Sequence, residues 1–247
     1  MTTDNSLTEA MILVGGKGER LRSVINNTPK PMAEVSEKPF LEWLILFLKK
    51  KGIRRVVLCS GYMAEAIEAY FGDGTKLGVK ILYSVDPFPL GTGGAIIYAL
   101  NHIQSKNFLV LNGDSFCQFN LNHFYKFHLE KKAKASILLT KASDCSRFGS
   151  VNINNCDEII SFIEKSNIKC KGLINAGVYI LEADLMLHFP QGQAISIEKE
   201  IFPRLIGCGL YAFTIEGVFC DIGTPESYIE ACQLLSNEFE YVNNEEE

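Results

Sequence analysis

No stretch of about 18 apolar residues occurs in the 247-residue chain, which excludes a bilayer-spanning helix. No long basic run offsets the net charge of -5, which excludes a nucleic-acid coat. Met1 to Glu9 is polar and lacks the basic-then-apolar order of a secretion signal, so a cytoplasmic protein with no membrane and no nucleic-acid partner is expected. The eight cysteines sit singly, with no Cys-x-x-Cys pair, which argues against a zinc ribbon or a thioredoxin-type motif. Several lie in apolar runs, Cys59 after Val56-Val57-Leu58 and Cys208 near Leu205-Ile206, and read as buried free thiols of a reducing compartment. The histidines (His102, His123, His128 and His188) are scattered and read as surface or core residues, not as ligands. No Ser/His/Asp or Cys/His set stands out as a nucleophilic centre.

What remains is an ordinary globular composition, 47% hydrophobic and 21% charged, long enough for one large core. Ala10–Val14, Arg55–Cys59, Val79–Tyr83 and Phe108–Leu111 read as buried strands. Phe40–Lys51, Met63–Phe71 and Gly94–Ile103 alternate with them and read as helices. The first helix carries a continuous apolar face and stops at Gly52 behind three lysines. Such alternation predicts an α/β fold, a Rossmann-like, mostly parallel sheet flanked by helices. About residues 136–181 are richer in strand pattern and read as a small subdomain built onto the same sheet. One domain over 1–247 is expected, with halves at 8–135 and 136–235 and a solvated acidic tail at 236–247. The sequence ends soon after the Asp221 segment without hexapeptide repeats, so a fused β-helix acyltransferase is not expected.

Directly after the first strand comes Gly15-Gly-Lys-Gly-Glu-Arg20. Glycines allow a backbone to approach a phosphate and aim amides at it, although a tight strand-to-helix turn would use them equally well. The Gly-x-x-x-x-Gly-Lys-Ser/Thr phosphate loop is absent, and the dinucleotide fingerprint would need glycine where Leu21 stands. Arg20 closes the loop, and Thr28-Pro-Lys30-Pro-Met32 follows. Two cations beside such a loop can neutralise a triphosphate and the charge that grows on leaving pyrophosphate. Prolines on both sides of Lys30 restrict its backbone and help aim its ammonium.

Leu13-Val-Gly-Gly-Lys-Gly-Glu-Arg-Leu21 with Pro29-Lys-Pro-Met32 resembles the signature of the sugar-1-phosphate nucleotidylyltransferases. The likeness continues, in order, through Pro89-Leu-Gly-Thr-Gly-Gly94, Asn112-Gly-Asp114, Arg147-Phe-Gly149, Glu164-Lys165, Asn175-Ala-Gly177 and Asp221-Ile-Gly-Thr-Pro225. Within that family it is nearest the manno-heptose and mannose 1-phosphate guanylyltransferases. Glu19 departs from the usual Thr and Ser166 from the usual Pro.

The resemblance implies a nucleotide site made by Leu13, Gly15, Gly16, Gly18, Arg20, Lys30, Leu90, Gly91, Thr92 and Asp114. It implies that Asp114 and Asp221 hold Mg²⁺; taken alone, these would read as an Asx-turn and a helix N-terminal acid. On the sugar side it implies Gly149, Glu164, Lys165 and Asn175, with Lys165 docking the sugar phosphate. Without it, Glu164-Lys165 is a surface ion pair and Thr92 a helix cap. Gly177, amid strand pattern, marks a close approach of ligand or backbone. The expected substrates are a nucleoside triphosphate, GTP favoured, and a sugar 1-phosphate, with a homodimer compatible. Alternatives are transfer from CTP, UTP or a thymidine nucleotide, a sugar-nucleotide-binding protein without catalysis, and a nicotinamide-dependent oxidoreductase.

Overall fold

The computed structural model describes residues 6–16, 18–21, 24–25, 28–142, 144–145, 148, 150–163 and 171–243. In chain order the strands are β1 (Glu9–Leu13), β2 (Glu34–Val35), β3 (Lys38–Pro39), β4 (Arg55–Ser60), β5 (Lys80–Val85), β6 (Asn107–Asn112) and β7 (Ser115–Cys117). They continue with β8 (Ala135–Ala142), β9 (Ser150–Ile153), β10 (Ile159–Ile163), β11 (Gly172–Glu182), β12 (Leu210–Ile215) and β13 (Phe219–Asp221). The α-helices are α1 (Phe40–Lys50), α2 (Ala64–Phe71), α3 (Gly91–Ala99), α4 (Leu121–Glu130), α5 (Ala183–Met186), α6 (Phe202–Leu205) and α7 (Pro225–Asn243).

One nine-stranded sheet organises the molecule. β5, β4, β1 and β6 lie side by side and parallel, β11 runs antiparallel to β6, and β8 and β12 extend the sheet beyond it. Alternate residues of β1 serve opposite faces: Ala10 and Ile12 join the layer under α1, α2, α4 and α7, while Met11 joins the layer under α3, α5 and α6. Phe108 and Val110 alternate with Leu109 and Leu111 in the same way. Burial on both faces explains why these strands read as unbroken apolar runs. The strands of the second half belong to this same sheet.

Helix boundaries follow local chemistry. Pro39 precedes α1 with φ -57 and ψ 140, and Gly52 ends the turn behind it at φ +94. α3 opens at Gly91, earlier than the expected Gly94, because the 193–197 segment packs on its first turn: the amides of Gly93 and Gly94 both donate to the Ile195 carbonyl. Of the expected acidic tail, residues 236–243 continue α7, and 244–247 lie outside the described residues.

β11 makes the cleft. Its C-terminal part pairs with β6, but its N-terminal part leaves β6 and meets β9 of the β9–β10 hairpin. The change falls at a register irregularity between Asn175 and Tyr179, where Gly177 takes φ +73. A Cβ on Gly177 would stand 2.8 Å from the Asn112 amide nitrogen. The close approach expected at Gly177 is therefore made by a neighbouring side chain.

Candidate functional site

Loops at the carboxyl ends of β1, β4 and β5 surround a cavity of about 650 Å³. Leu13, Gly15 and Gly16 form one wall, and Asp86, Leu90, Gly91 and Thr92 face it. In open parallel sheets ligands bind at this edge, where the connections diverge. A second cavity of about 400 Å³ opens beside it, lined by Arg20, Asn175 and Asp221 with an apolar wall of Phe148, Phe162 and Phe219. Lys30, Thr92, Asn112 and Asp114 line both cavities. A reaction between two ligands, one in each, would take place at those residues.

Lys30 reaches the junction from a short 3₁₀ turn, Lys30–Met32, and is 8% exposed. Its ammonium pairs with Asp114 Oδ2 at 2.5 Å. Gly18 is required for this placement, since at φ +60 a Cβ there would sit 2.8 Å from Lys30 Cβ. Arg20, in the 3₁₀ turn Glu19–Leu21, is exposed and faces the smaller cavity, on the same side as Asp221.

Asp114 follows β6 in the turn to β7, and Asp221 ends β13. β7 and β13 pair antiparallel with Ser115 opposite Asp221, and the Ile222 amide donates to the Asp114 carbonyl at 2.9 Å. Two aspartates far apart in sequence thus line one cavity. Asp221 Oδ1 also accepts from the Gly223 amide at 2.7 Å and the Ser227 hydroxyl at 3.2 Å. No cluster of three or more metal-ligating side chains occurs among the described residues. A pair of carboxylates still matches what Mg²⁺ takes from protein when phosphate oxygens and water complete its shell.

Asn175 lines the smaller cavity with both ends of its amide engaged: Nδ2 donates to the Tyr179 hydroxyl at 2.8 Å and Oδ1 accepts from the Gly177 amide at 2.9 Å. Gly149, Glu164 and Lys165 lie outside the described residues.

Several residues of the site were not singled out by the sequence. Asp86, just after β5, lines the larger cavity, and its Oδ1 is buried without a hydrogen-bond partner. Burial raises this carboxyl to about 6, against the opposing effect of the Leu90 amide. Ser196, Glu198 and Lys199 line the smaller cavity from the segment that packs on α3. A lone acid before a proline, and a charged run in the second half, carry no periodic or glycine-rich signal that would separate them from surface residues.

The glycines of Gly91-Thr92-Gly93-Gly94 owe their place to that same segment. A Cβ would meet the Ile195 carbonyl oxygen at 2.7 Å from Gly91 and the Gln193 carbonyl oxygen at 2.5 Å from Gly94. Their smallness admits a neighbouring backbone. Thr92 is not the helix cap; its hydroxyl donates to Glu198 Oε2 at 2.7 Å and accepts from the Ile197 amide at 2.9 Å.

The sequence pattern of the nucleotidyl transferase family matches residues 9–238. D-glycero-alpha-D-manno-heptose 1-phosphate guanylyltransferase of Campylobacter jejuni is 41% identical over 89% of this chain and 96% of its own. The enzyme of that name from Aneurinibacillus thermoaerophilus is 38% identical over 93% and 99%. Mannose-1-phosphate guanylyltransferase of Mycobacterium tuberculosis is 35% identical over 90% of this chain, which spans only 62% of that relative's length. HddC from Yersinia pseudotuberculosis superposes with TM-score 0.83 at 33% identity, covering 93% of this chain and 100% of its own, and has also been crystallised in complex with GMP-PN.

Proposed function

Because the chain belongs to the nucleotidyl transferase family, we propose that it joins GTP to a sugar 1-phosphate, releasing pyrophosphate. The observation that carries this reading is the junction of the two cavities at Lys30 and Asp114, with Asp221 alongside. A phosphate oxygen of the sugar phosphate attacks the α-phosphorus of the triphosphate. The bond from that phosphorus to the β-phosphate bridging oxygen breaks, and pyrophosphate carries away the electron pair. No protein nucleophile takes part, so the chain contributes position and charge. Gly15 and Gly16 approach the triphosphate, Lys30 sits against the α-phosphate region, and Arg20 offsets charge on the departing pyrophosphate. Asp114 and Asp221 would hold Mg²⁺, which supplies positive charge to the phosphates when bound. Gly149, Glu164, Lys165 and Asn175 keep their expected role on the sugar side, and the relatives of matching length favour a manno-heptose as that sugar.

Asp86 supports guanine. The N1–H and amino group of guanine are adjacent donors, and an ionised carboxylate accepts from both. Adenine presents one donor and one acceptor along the same edge, leaving a carboxylate oxygen without a partner. Crossing GTP, ATP, CTP and UTP with mannose and manno-heptose 1-phosphates, with and without Mg²⁺, tests the reading through pyrophosphate release. GTP with one of the sugars should turn over only with the metal. Equal rates with all four nucleotides, or release without the sugar phosphate, would contradict it.

A further inference from the structure

The segment carrying Ser196 and Glu198 is held more firmly than a connecting loop requires. Ile195 donates to the Leu90 carbonyl and accepts from the amides of Gly93 and Gly94, while Ile197 and Ile201 are buried beneath it. Ile197–Ile201 forms a single π-helical turn, a conformation that recurs at functional sites. Its N-terminus is already satisfied: Ser196 accepts from the Lys199 amide, and Glu200 reaches back to the Ser196 amide. Glu198 is therefore not needed as a cap.

Glu198 instead turns toward the smaller cavity. Oε2 accepts from Thr92 at 2.7 Å and from the Ser196 hydroxyl at 2.9 Å, whereas Oε1 accepts no hydrogen bond from the described residues. Its charge reaches the buried Tyr179 phenol, which bonds the cavity-lining Asn175: after burial it is the next cause holding that phenol well above its usual range. A carboxylate there would repel phosphate, for which Arg20, Lys30 and Lys199 of the same lining offer cations. It matches a sugar hydroxyl, an uncharged donor.

On the reading that this cavity takes the sugar phosphate, we propose that Glu198 accepts a hydroxyl of the sugar and that Thr92 positions it. Thr92 lines both cavities, so the same contact ties the sugar's placement to the loop that faces the nucleotide.

Glu198→Gln keeps an oxygen for Thr92 and Ser196 but removes the charge and replaces the other acceptor by an amide donor. Isothermal titration with mannose and manno-heptose 1-phosphates should show affinity about 10- to 100-fold lower than in the parent. The KM for GTP should stay within about twofold, since Glu198 does not line the nucleotide cavity and the Gln oxygen can still accept from Thr92. Monodeoxy analogues identify the hydroxyl: removing the one that Glu198 accepts should weaken binding to the parent but not to Glu198→Gln. Thr92→Val should raise the KM for the sugar phosphate by a smaller factor, and Thr92→Ser should restore it. Unchanged sugar affinity in a folded Glu198→Gln protein, or equal penalties for every deoxy analogue in both proteins, would overturn the assignment. A parent protein that bound neither sugar phosphate would instead overturn the reading of the cavity, and this inference with it.

Discussion

At the scale of single residues, Asp86 combines burial with an unmade hydrogen bond, and its consequences can be measured. In the ligand-free protein its folded value, about 6, lies above the ordinary 3.8, so the native state binds the extra proton between those limits. Its ionised form thus lowers stability above pH 6, and that penalty lifts as pH falls toward 4. In the proposed contact, guanine is held by the ionised form. The preference for GTP over ATP, measured by equilibrium binding, should therefore shrink as pH falls from 7.5 through 6 to 5, where the carboxyl is mostly protonated. Asp86→Asn should abolish the pH dependence of that ratio, reduce it about 10-fold or more at pH 7.5, and raise the melting temperature of the free protein. An unaltered ratio in the Asn variant would place guanine recognition elsewhere. Asp114→Asn and Asp221→Asn should each lower turnover at saturating Mg²⁺ by about 100-fold or more while the fold persists. In Asp221→Asn the amide oxygen can still accept from Gly223 and Ser227, the two bonds that Asp221 Oδ1 accepts. A near-normal rate in either would make that carboxylate structural.

At the scale of elements, glycines of similar appearance do different work. Gly16 has ordinary φ and nothing within 4 Å of an added Cβ, whereas a Cβ on Gly94 would collide with the Gln193 carbonyl at 2.5 Å. Gly94→Ala in a helix would ordinarily stabilise by about 0.5–1 kcal/mol; here displacement of the packed backbone costs about 1–3 kcal/mol. The melting temperature should fall by a few degrees. Gly16→Ala should leave it unchanged while weakening GTP, if the triphosphate approaches this loop as proposed. A stabilised Gly94→Ala would show that the 193–197 segment is not seated on α3. The same contrast shows what sequence could reveal. β1, β4 and β6 were legible because both their faces are buried, and α1 because its apolar residues and stop signals coincide. The early start of α3 and the π-turn depend on contacts between distant segments, which no local pattern announces. Lys30, Asp114 and Asp221 were legible as motifs, whereas Glu198 became visible only when the fold set it against Thr92.

At the scale of the whole molecule, the sheet buries groups whose titration acts on the fold. His128 is 2% exposed, shares a 2.9 Å hydrogen bond with Ser136, and burial lowers it to about 4. The unfolded chain protonates at about 6.5 while the native state stays neutral, so stability is lost as pH falls from 6.5 toward 4. This opposes the Asp86 effect, and the two can be separated by following melting temperature against pH in the parent and in Asp86→Asn; the acid loss should persist in the variant. Cysteines follow the same logic. Cys117 and Cys220 are raised to about 12 and Cys59 further, chiefly by burial, but Cys156 and Cys208 are exposed, the latter against its apolar neighbourhood in sequence. Ile206 is followed by Gly207 at φ +74, and the turn carries Cys208 out of the core.

In the proposed reaction, transfer takes place at the junction of the two cavities, where the α-phosphate would meet the sugar phosphate. Incubation with manno-heptose 1-phosphate, Mg²⁺ and GTP labelled at either the α- or the γ-phosphorus follows that transfer directly. The α-label should enter a sugar nucleotide and the γ-label should leave as pyrophosphate, in equal amounts. A γ-label recovered as inorganic phosphate, or an α-label that never joins the sugar, would contradict it.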